Sequence, residues 1–198
     1  MTKAERVYYD QRAPEYDDFY LGTGSFASRV RPGWHAEVEA LIGCLRELKM
    51  SPVLDVACGT GFLTRHLPGR MVAADQSMEM LRIARERLRG DLIESDALQL
   101  PFRAGAFACA LAGHFYGHLN EESRERFLAE ARRVAARLLV IDAAWREGVA
   151  PEEVQERVLQ DGSHHRVYKR YFTPQQLMDE LGGGEVLFAG RWFVAVLV

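Results

Sequence analysis

The residues best suited to chemistry form a short glycine turn that directly follows an apolar run. Gly59 and Gly61 flank Thr60, and Asp55 lies four residues before the turn, in the apolar run 53–56. Glycine lets a backbone turn sharply and approach a ligand without a Cβ in the way. A strand, a Gly-x-Gly turn and a helix in this order indicate a nucleotide-type binding loop, which dinucleotide enzymes also use.

Two features of this turn distinguish between its candidate ligands. A dinucleotide fingerprint has a third glycine where this chain has Thr64. In addition, Asp55 would lie beneath the ligand, where a carboxylate repels a pyrophosphate but attracts the ammonium group of a methionine moiety. Two unit charges ~4 Å apart interact by about 4 kcal/mol at an effective dielectric constant of about 20, so the sign of this charge can decide the ligand. The turn therefore disfavours a phosphate-bearing cofactor.

Two further carboxylates follow the next two predicted strands. Asp75 lies 20 residues after Asp55, where an acidic residue accepts hydrogen bonds from both ribose hydroxyls and disfavours a 2′-phosphate. Asp96 follows the third predicted strand and could accept a hydrogen bond from an adenine amino group. A single aspartate in such a place is most often a loop carboxylate or a helix cap. Three at successive strand ends, where open α/β sheets bind ligands, indicate one site.

Short apolar runs that alternate with amphipathic segments must position these carboxylates. The predicted helices span 3–10, 33–48, 77–88, 121–135 and 174–181, with another beginning over 62–67. The predicted strands span 52–56, 71–74, 92–93, 106–111, 138–141, 186–189 and 192–198. Alternation of this kind predicts an α/β fold with a parallel sheet and helices on both faces, and the last two strands predict a closing hairpin. Since no repeat or linker interrupts the pattern, we predict one domain over residues 1–198.

Composition indicates a globular protein of the cytoplasm. The chain has 198 residues, of which 48% are hydrophobic and 27% charged, and this balance excludes a disordered or fibrous protein. The net charge of −3, with scattered basic residues, leaves no electrostatic footprint for duplex nucleic acid. Three isolated cysteines favour a reducing compartment and argue against both a disulfide framework and a zinc site, so no metal is expected. The N-terminus lacks the apolar core of a signal peptide, and no apolar run approaches the ~20 residues of a membrane span.

Several stretches resemble the motifs of class I S-adenosylmethionine-dependent methyltransferases, in their usual order. They are Val53–Phe62, Ala74–Leu81 and Ser95–Phe102, followed by Phe127–Val134, which is similar to the family's helix before strand five. The resemblance covers nearly the whole chain and is to the small-molecule type. It implies a Rossmann-like, seven-stranded, mostly parallel sheet that ends in an antiparallel hairpin, and S-adenosyl-L-methionine as the cofactor.

The resemblance also implies which residues contact the cofactor. Those expected around its methionine part are Asp55, Cys58, Gly59, Gly61, Ala112 and Gly113. Those expected around its ribose and adenine are Asp75, Gln76, Met78, Asp96 and Ala97. The N-terminal segment, residues 1–32, resembles one that folds over the cofactor in this family. In that segment Tyr16 would cover the ligand, and Arg12 could pair with its carboxylate.

The turn after the fourth predicted strand bears on the atom that accepts the methyl group. Methyl transfer is an in-line displacement, which needs positioning and desolvation, and needs a base only if the acceptor must lose a proton. Enzymes of this family that act on amide or exocyclic nitrogen typically carry Asn/Asp-Pro-Pro-aromatic here, whereas this chain has Ala112–His118. Oxygen is therefore favoured over amide or nucleobase nitrogen. His114 is the candidate general base, with a capping or loop histidine as the alternative.

The insert 145–173 is the second candidate part of an acceptor pocket. Its segment 161–172 mixes aromatic and cationic side chains, which would suit an anionic or aromatic small molecule. The candidate substrate contacts are His118, His164, His165 and Tyr168. The alternation over 165–171 also fits an ordinary extra strand with a solvated face.

Three other functions compete with a small-molecule methyltransferase. An RNA-modifying methyltransferase is disfavoured by the mild acidity and by the lack of an appended RNA-binding domain. A non-catalytic protein that binds only the cofactor or a partner is disfavoured by the intact glycines and aspartates. An NAD-linked oxidoreductase is disfavoured by Thr64 and Asp55. The sequence names neither the acceptor nor the oligomeric state.

Overall fold

The helices and strands follow the predicted alternation. A computed structural model of the chain describes the backbone of residues 3–198 and the side chains of residues 6–198. The α-helices are α1 (Lys3–Arg12), α2 (Asp18–Leu21), α3 (Trp34–Arg46), α4 (Met78–Arg87), α5 (Glu121–Val134) and α6 (Pro174–Leu181). The strands are β1 (Val53–Val56), β2 (Met71–Asp75), β3 (Asp91–Glu94), β4 (Phe107–Gly113), β5 (Ala135–Ala143), β6 (Glu152–Val158), β7 (His164–Arg170), β8 (Glu185–Ala189) and β9 (Phe193–Leu197).

The main sheet has the strand order β3-β2-β1-β4-β5-β9-β8 over the described residues. Strands β1 to β5 are parallel, and β9 runs antiparallel to both β5 and β8. This confirms the predicted Rossmann-like sheet and its closing hairpin. The chain order reverses between β1 and β4, so the carboxyl ends of these two strands lie at the switch point, where open α/β sheets bind ligands.

Helices cover both faces of the sheet because successive side chains of a strand point to opposite faces. Leu54 of β1 belongs to a buried cluster that includes Phe127 of α5 and Leu177 of α6. Its neighbour Val53 belongs to a second cluster, with Leu41 of α3. Both faces of the main sheet are therefore buried. Within the described residues, no helix is both long and apolar enough to cross a membrane.

Helix α6 begins and ends as predicted. The Thr173 hydroxyl accepts a hydrogen bond from the Gln176 amide, and the Gln176 side chain accepts one from the Thr173 amide, which makes a capping box with Pro174 at the first helical position. Gly182 ends α6 in the left-handed conformation, with φ 79°.

Two predictions of secondary structure need correction. The predicted helix beginning over 62–67 is wrong, because only a 3₁₀ turn forms, at Thr64–His66. Leu67 is extended, as expected for a residue that precedes a proline, here Pro68. Strand β6 was not predicted. It pairs antiparallel with β7 in a separate two-stranded ribbon, and its mostly charged, exposed side chains carry no apolar pattern.

Candidate active site

The glycine turn lies at the carboxyl end of β1 and requires glycine at both positions. Gly59 and Gly61 have φ values of 56° and 75°, which side chains rarely adopt. A Cβ on Gly59 would lie 3.1 Å from the Tyr16 ring, and one on Gly61 would lie 3.1 Å from the Leu88 side chain. Gly59 thus allows the N-terminal segment to approach the turn, whereas Gly61 allows the turn to pack on the end of α4.

Asp75, the last residue of β2, fixes the glycine turn from the neighbouring strand. Its carboxylate accepts hydrogen bonds from the Gly59 amide at 2.8 Å and from the Ser77 amide at 2.8 Å. Burial raises the pKa of this carboxyl group above its ordinary value, although these backbone hydrogen bonds oppose the shift. The turn and the second strand end therefore form one rigid edge with a carboxylate at its centre.

Asp55 is a second buried carboxylate on the same edge. It is 3% exposed, and the Thr64 hydroxyl donates a hydrogen bond to its Oδ2 at 2.5 Å. Burial raises the pKa of Asp55 to about 7, although the hydrogen bond from Thr64 lowers it. A cation placed beside this carboxylate would stabilise its ionised form. From the sequence Thr64 was notable only as the position of a missing glycine, whereas the structure places its hydroxyl on the Asp55 carboxylate.

Two small cavities follow this edge of the sheet, and Tyr16 borders both of them. One contains Asp75 and is further lined by Tyr9, Ala57, Gly59, Gln76, Met80, Ser95, Ala97, His114 and Phe115. The other contains Asp55 and is further lined by Tyr20, Ala57, Cys58, Phe62, Leu63, Leu111 and Gly113. In the first cavity the side-chain oxygen Oε1 of Gln76 is buried and has no hydrogen-bond partner among the described residues. The edge thus offers two carboxylates and an unused amide oxygen to a ligand.

Most of the predicted cofactor residues lie at these two cavities, but five do not. The residues that line neither small cavity are Arg12, Gly61, Met78, Asp96 and Ala112. Met78, the first residue of α4, is 38% exposed, whereas the fully buried Met80 lines the Asp75 cavity. Asp96 accepts a hydrogen bond from the Leu98 amide at 2.9 Å, while its neighbours on both sides line the cavity.

His114 follows β4 and lies between the Asp75 cavity and a much larger one. It is the second non-glycine residue, after Ala57, with a left-handed backbone in the described chain, at φ 55°. Its amide donates to the Ile141 carbonyl at 2.7 Å, and the rings of Phe19, Tyr20 and Phe193 surround its imidazole. Strained positions of this kind cluster at functional sites.

The His114 imidazole is neutral and its Nε2 is available. Burial lowers its pKa to about 4, although the charge of Asp142 opposes the shift. Nε2 is buried and has no hydrogen-bond partner among the described residues. Because a buried polar atom without a partner costs free energy, this nitrogen is suited to bind a group that enters the large cavity.

The large cavity has a volume of about 900 Å³ and lies between the N-terminal segment and the β6–β7 ribbon. His118 lines it, and the Nδ1 of this histidine lies 2.7 Å from the Tyr168 carbonyl. Since a carbonyl only accepts hydrogen bonds, Nδ1 carries the proton. Lys169 also lines the cavity and forms a buried ion pair with Asp142 at 2.6 Å. The cavity is therefore large enough for a small-molecule ligand and has polar groups at its base.

Three of the four predicted substrate contacts do not line the large cavity, so their role stays a prediction. His164 is exposed and pairs with Glu156 at 2.8 Å. His165 packs against the Tyr8 ring, with 5.0 Å between the ring centroids. The Tyr168 hydroxyl donates to Glu152 at 2.6 Å. The alternating residues Lys169 and Tyr171 line the cavity instead, and which face of a ribbon does so depends on tertiary packing.

A set of cations around the large cavity was not predicted from the sequence. They are Arg29, Arg31, Arg146, Arg157 and Lys169, together with Arg12, which was predicted at the cofactor. They come from separate segments of the chain, so no local motif marks them. A weak signal exists for three of them, since 27–32 holds Arg29 and Arg31 without an acidic residue and 161–172, which contains Lys169, is rich in cations.

Comparison with known proteins is consistent with this geometry. A family model described as a methyltransferase domain matches residues 53–137, which contain the glycine turn and both carboxylates. An uncharacterized methyltransferase of Alkaliphilus oremlandii is 21% identical over 79% of this chain and 76% of its own length. A demethylmenaquinone methyltransferase of Thermus thermophilus is 35% identical over 66% of this chain, which spans 58% of that relative.

Solved structures extend the similarity to almost the whole chain. The structure of DhpI in complex with SAM and HEP has a TM-score of 0.76 and 26% sequence identity, and the alignment covers 98% of this chain and 95% of DhpI. The complex of DhpI with SAH has a TM-score of 0.75 and 25% identity, over 98% of this chain and 94% of DhpI. The similarity therefore includes the N-terminal segment and the β6–β7 ribbon as well as the sheet.

Proposed function

The chain is a class I S-adenosylmethionine-dependent methyltransferase, and we propose that it transfers the methyl group to an oxygen atom of a small molecule in the large cavity. The observation that carries this proposal is the position of His114. Its imidazole lines both the Asp75 cavity and the large cavity, and its Nε2 has no partner among the described residues. A group bound in the large cavity would therefore meet His114 beside the cofactor.

We propose that the cofactor lies along the edge formed by Asp55 and Asp75. Asp55 would face the ammonium group, because a buried carboxylate with a raised pKa gains most from a cation. Asp75 would accept hydrogen bonds from the ribose hydroxyls while its backbone hydrogen bonds hold it in place. Gln76 and Ala97 line the same cavity and would contact the adenine.

Tyr16 would have to move when the cofactor binds. The two cavities that it borders have volumes of about 30 and 10 Å³. Pockets that bind small molecules and cofactors usually have volumes of at least about 300 Å³. The Tyr16 ring lies over Gly59, so its displacement would join the two cavities into one cleft, and its return would cover the bound ligand.

The proposed reaction is a single displacement in which His114 takes a proton. An oxygen lone pair of the acceptor hydroxyl attacks the methyl carbon as the carbon–sulfur bond breaks. The electron pair of the broken carbon–sulfur bond stays on sulfur. The products are S-adenosylhomocysteine and the methyl ether or ester. The hydroxyl proton passes to Nε2 of His114, so the positive charge lost from sulfur reappears on the imidazole. The negative charge of Asp142 favours that protonated imidazole.

The proposal is tested by the fate of a labelled methyl group. The full chain is incubated with methyl-labelled S-adenosylmethionine and a fractionated metabolite extract, and labelled products are identified by mass spectrometry and NMR. We expect an O-methyl small molecule. The rate should fall at least about a hundredfold in His114→Ala, as for loss of a general base. His164→Ala, which alters an exposed histidine outside the cavity, is the matched control and should be unchanged.

Three results would contradict the proposal. Label on carbon or nitrogen would exclude the oxygen acceptor. Label found only in an RNA fraction would favour the alternative of an RNA-modifying enzyme. Equal rates for His114→Ala and the wild type would exclude His114 as the base.

A further inference from the structure

Three arginines converge on one aromatic ring at the large cavity. The guanidinium carbons of Arg29, Arg31 and Arg12 lie 4.5, 5.4 and 5.7 Å from the centroid of the Phe26 ring. All of them line the cavity, and so does Arg157, whose guanidinium donates to the Tyr8 hydroxyl at 2.9 Å. The chain as a whole carries a net charge of −3, so this concentration of positive charge is local.

No carboxylate neutralises this arginine cluster, which we define as Arg12, Arg29 and Arg31. Within the described part of the chain, none of the three has a carboxylate within 4.0 Å. The acids that line the same cavity are engaged elsewhere: Glu153 accepts from the Tyr171 hydroxyl, and Glu156 pairs with His164. The cluster is thus a set of cations without a protein counter-ion.

Burial and neighbouring positive charges both act on Arg29 and Arg31. Burial, followed by the charges of Arg157 and Arg12, lowers the pKa of Arg29. Burial and the charge of Arg29 lower the pKa of Arg31. An anion at the centre of the cluster would remove this repulsion.

Arg12 adds an independent sign of a missing ligand. It is 6% exposed, it lines the large cavity, and its Nε has no hydrogen-bond partner among the described residues. A buried guanidinium nitrogen without a partner is costly, and a guanidinium is suited to bind two oxygens of one group at once. Its position at this cavity makes the acceptor an alternative partner to the cofactor carboxylate predicted from the sequence.

We propose that the arginine cluster binds an oxyanion group of the methyl acceptor, a carboxylate or a phosphoryl group remote from the hydroxyl that is methylated. This inference rests on the proposed function, because it assumes that the acceptor occupies the large cavity. His114 and the cluster line the same cavity, so an acceptor held by its anionic end can direct its hydroxyl toward Nε2. Phe26 holds the guanidinium groups around one point by cation–π contacts.

Inorganic phosphate and acetate are the probes for this subsite. The full chain is saturated with S-adenosylhomocysteine and titrated calorimetrically with each probe, at constant ionic strength set by chloride. We expect phosphate or acetate to bind, and the tighter probe identifies the class of oxyanion. Arg29→Gln should weaken the tighter probe about tenfold, since one charge-assisted hydrogen bond is lost. Arg29 is exposed and its guanidinium donates no hydrogen bond to the described residues, so this variant should fold.

Two further variants control the experiment. Arg29→Lys keeps the charge and should lose less affinity than Arg29→Gln. Arg126→Gln removes an exposed arginine of α5 that lies outside the cavity, and it should bind both probes as the wild type does. Affinity for S-adenosylhomocysteine should be the same in all of these proteins.

The inference is wrong if S-adenosylhomocysteine binds but neither probe does. It is also wrong if the affinity of Arg29→Gln for the tighter probe is within twofold of the wild-type affinity. It is also wrong if Arg126→Gln weakens that probe as much as Arg29→Gln does, because nonspecific charge then explains the binding. Failure of the proposed function has a different signature, which is the absence of labelled small-molecule product from the wild-type enzyme in every metabolite fraction.

Discussion

Acid should weaken cofactor binding, because Asp55 must be ionised to meet the ammonium group of the ligand. In the ligand-free protein burial raises the pKa of Asp55 to about 7, so at lower pH most molecules carry the neutral form. A bound ammonium group favours the carboxylate and lowers its pKa in the complex. Binding below pH 7 must therefore release a proton from Asp55, and the apparent affinity falls as the pH falls.

The size of the effect follows from the pKa of Asp55. At pH 5, about two units below that pKa, only about 1% of the free protein has an ionised Asp55. If the ligand returns the pKa to its ordinary range, the dissociation constant at pH 5 should be about a hundredfold higher than at pH 8. This corresponds to about 2.7 kcal/mol. Asp75, whose pKa is also raised by burial, changes the affinity in the same direction.

Calorimetric titration with S-adenosylhomocysteine between pH 5 and pH 8 measures this dependence. Circular dichroism at each pH shows whether the protein remains folded. We expect about a tenfold loss of affinity for each pH unit below 7 in the wild type. Asp55→Asn should bind more weakly at pH 8 and show a flatter profile. A wild-type dissociation constant that is the same at pH 5 and pH 8 would refute the assignment of Asp55 to the ammonium group.

Three more predictions concern the same edge of the sheet. Thr64→Val removes a hydrogen bond that lowers the pKa of Asp55, so the pH profile of S-adenosylhomocysteine binding should move to higher pH, with Thr64→Ser as the control; an unmoved profile would contradict this. Asp55→Asn should stabilise the ligand-free protein at pH 8 by up to about 4 kcal/mol and much less at pH 4, because the raised pKa gives stability that is lost as the pH rises through about 7. Equal unfolding temperatures for wild type and variant at pH 8 would count against it. Gly59→Ala should destabilise the protein by about 1–2 kcal/mol because of its left-handed backbone, and its Cβ should also displace Tyr16. Gly148→Ala is the control, since it has the same backbone strain but its Cβ would have no other atom within 4 Å. Equal losses of stability in thermal unfolding of these two variants would show that the Tyr16 contact is unimportant.

The sequence predicted the buried sheet well because each central strand is a short apolar run. Strands β1 and β4 are buried on both faces, so their composition alone marks them. Strand β6 could not be found in this way, since most of its side chains are charged and exposed. The predicted helix over 62–67 shows how one proline, Pro68, overrides the favourable residues before it.

The site was predictable where topology fixes it and unpredictable where packing does. Asp55 and Asp75 lie near the carboxyl ends of neighbouring parallel strands, so any fold of this type brings them to the same edge. The choice between Met78 and Met80 depends on the rotation of α4, which the sequence Met-Glu-Met leaves open. The arginine cluster depends on how the N-terminal segment folds over the cavity, and the resemblance to a family does not specify that packing.

Equilibrium titration of the full chain with S-adenosylmethionine, S-adenosylhomocysteine and NAD tests the central claim most directly. That claim is that the edge formed by Asp55 and Asp75 holds the cofactor. Both adenosyl ligands should bind, NAD should not, and Asp75→Ala should weaken S-adenosylhomocysteine by at least about tenfold, since hydrogen bonds to a charged group are lost. Preferential binding of NAD, or an affinity for S-adenosylhomocysteine that Asp75→Ala leaves unchanged, would contradict the claim.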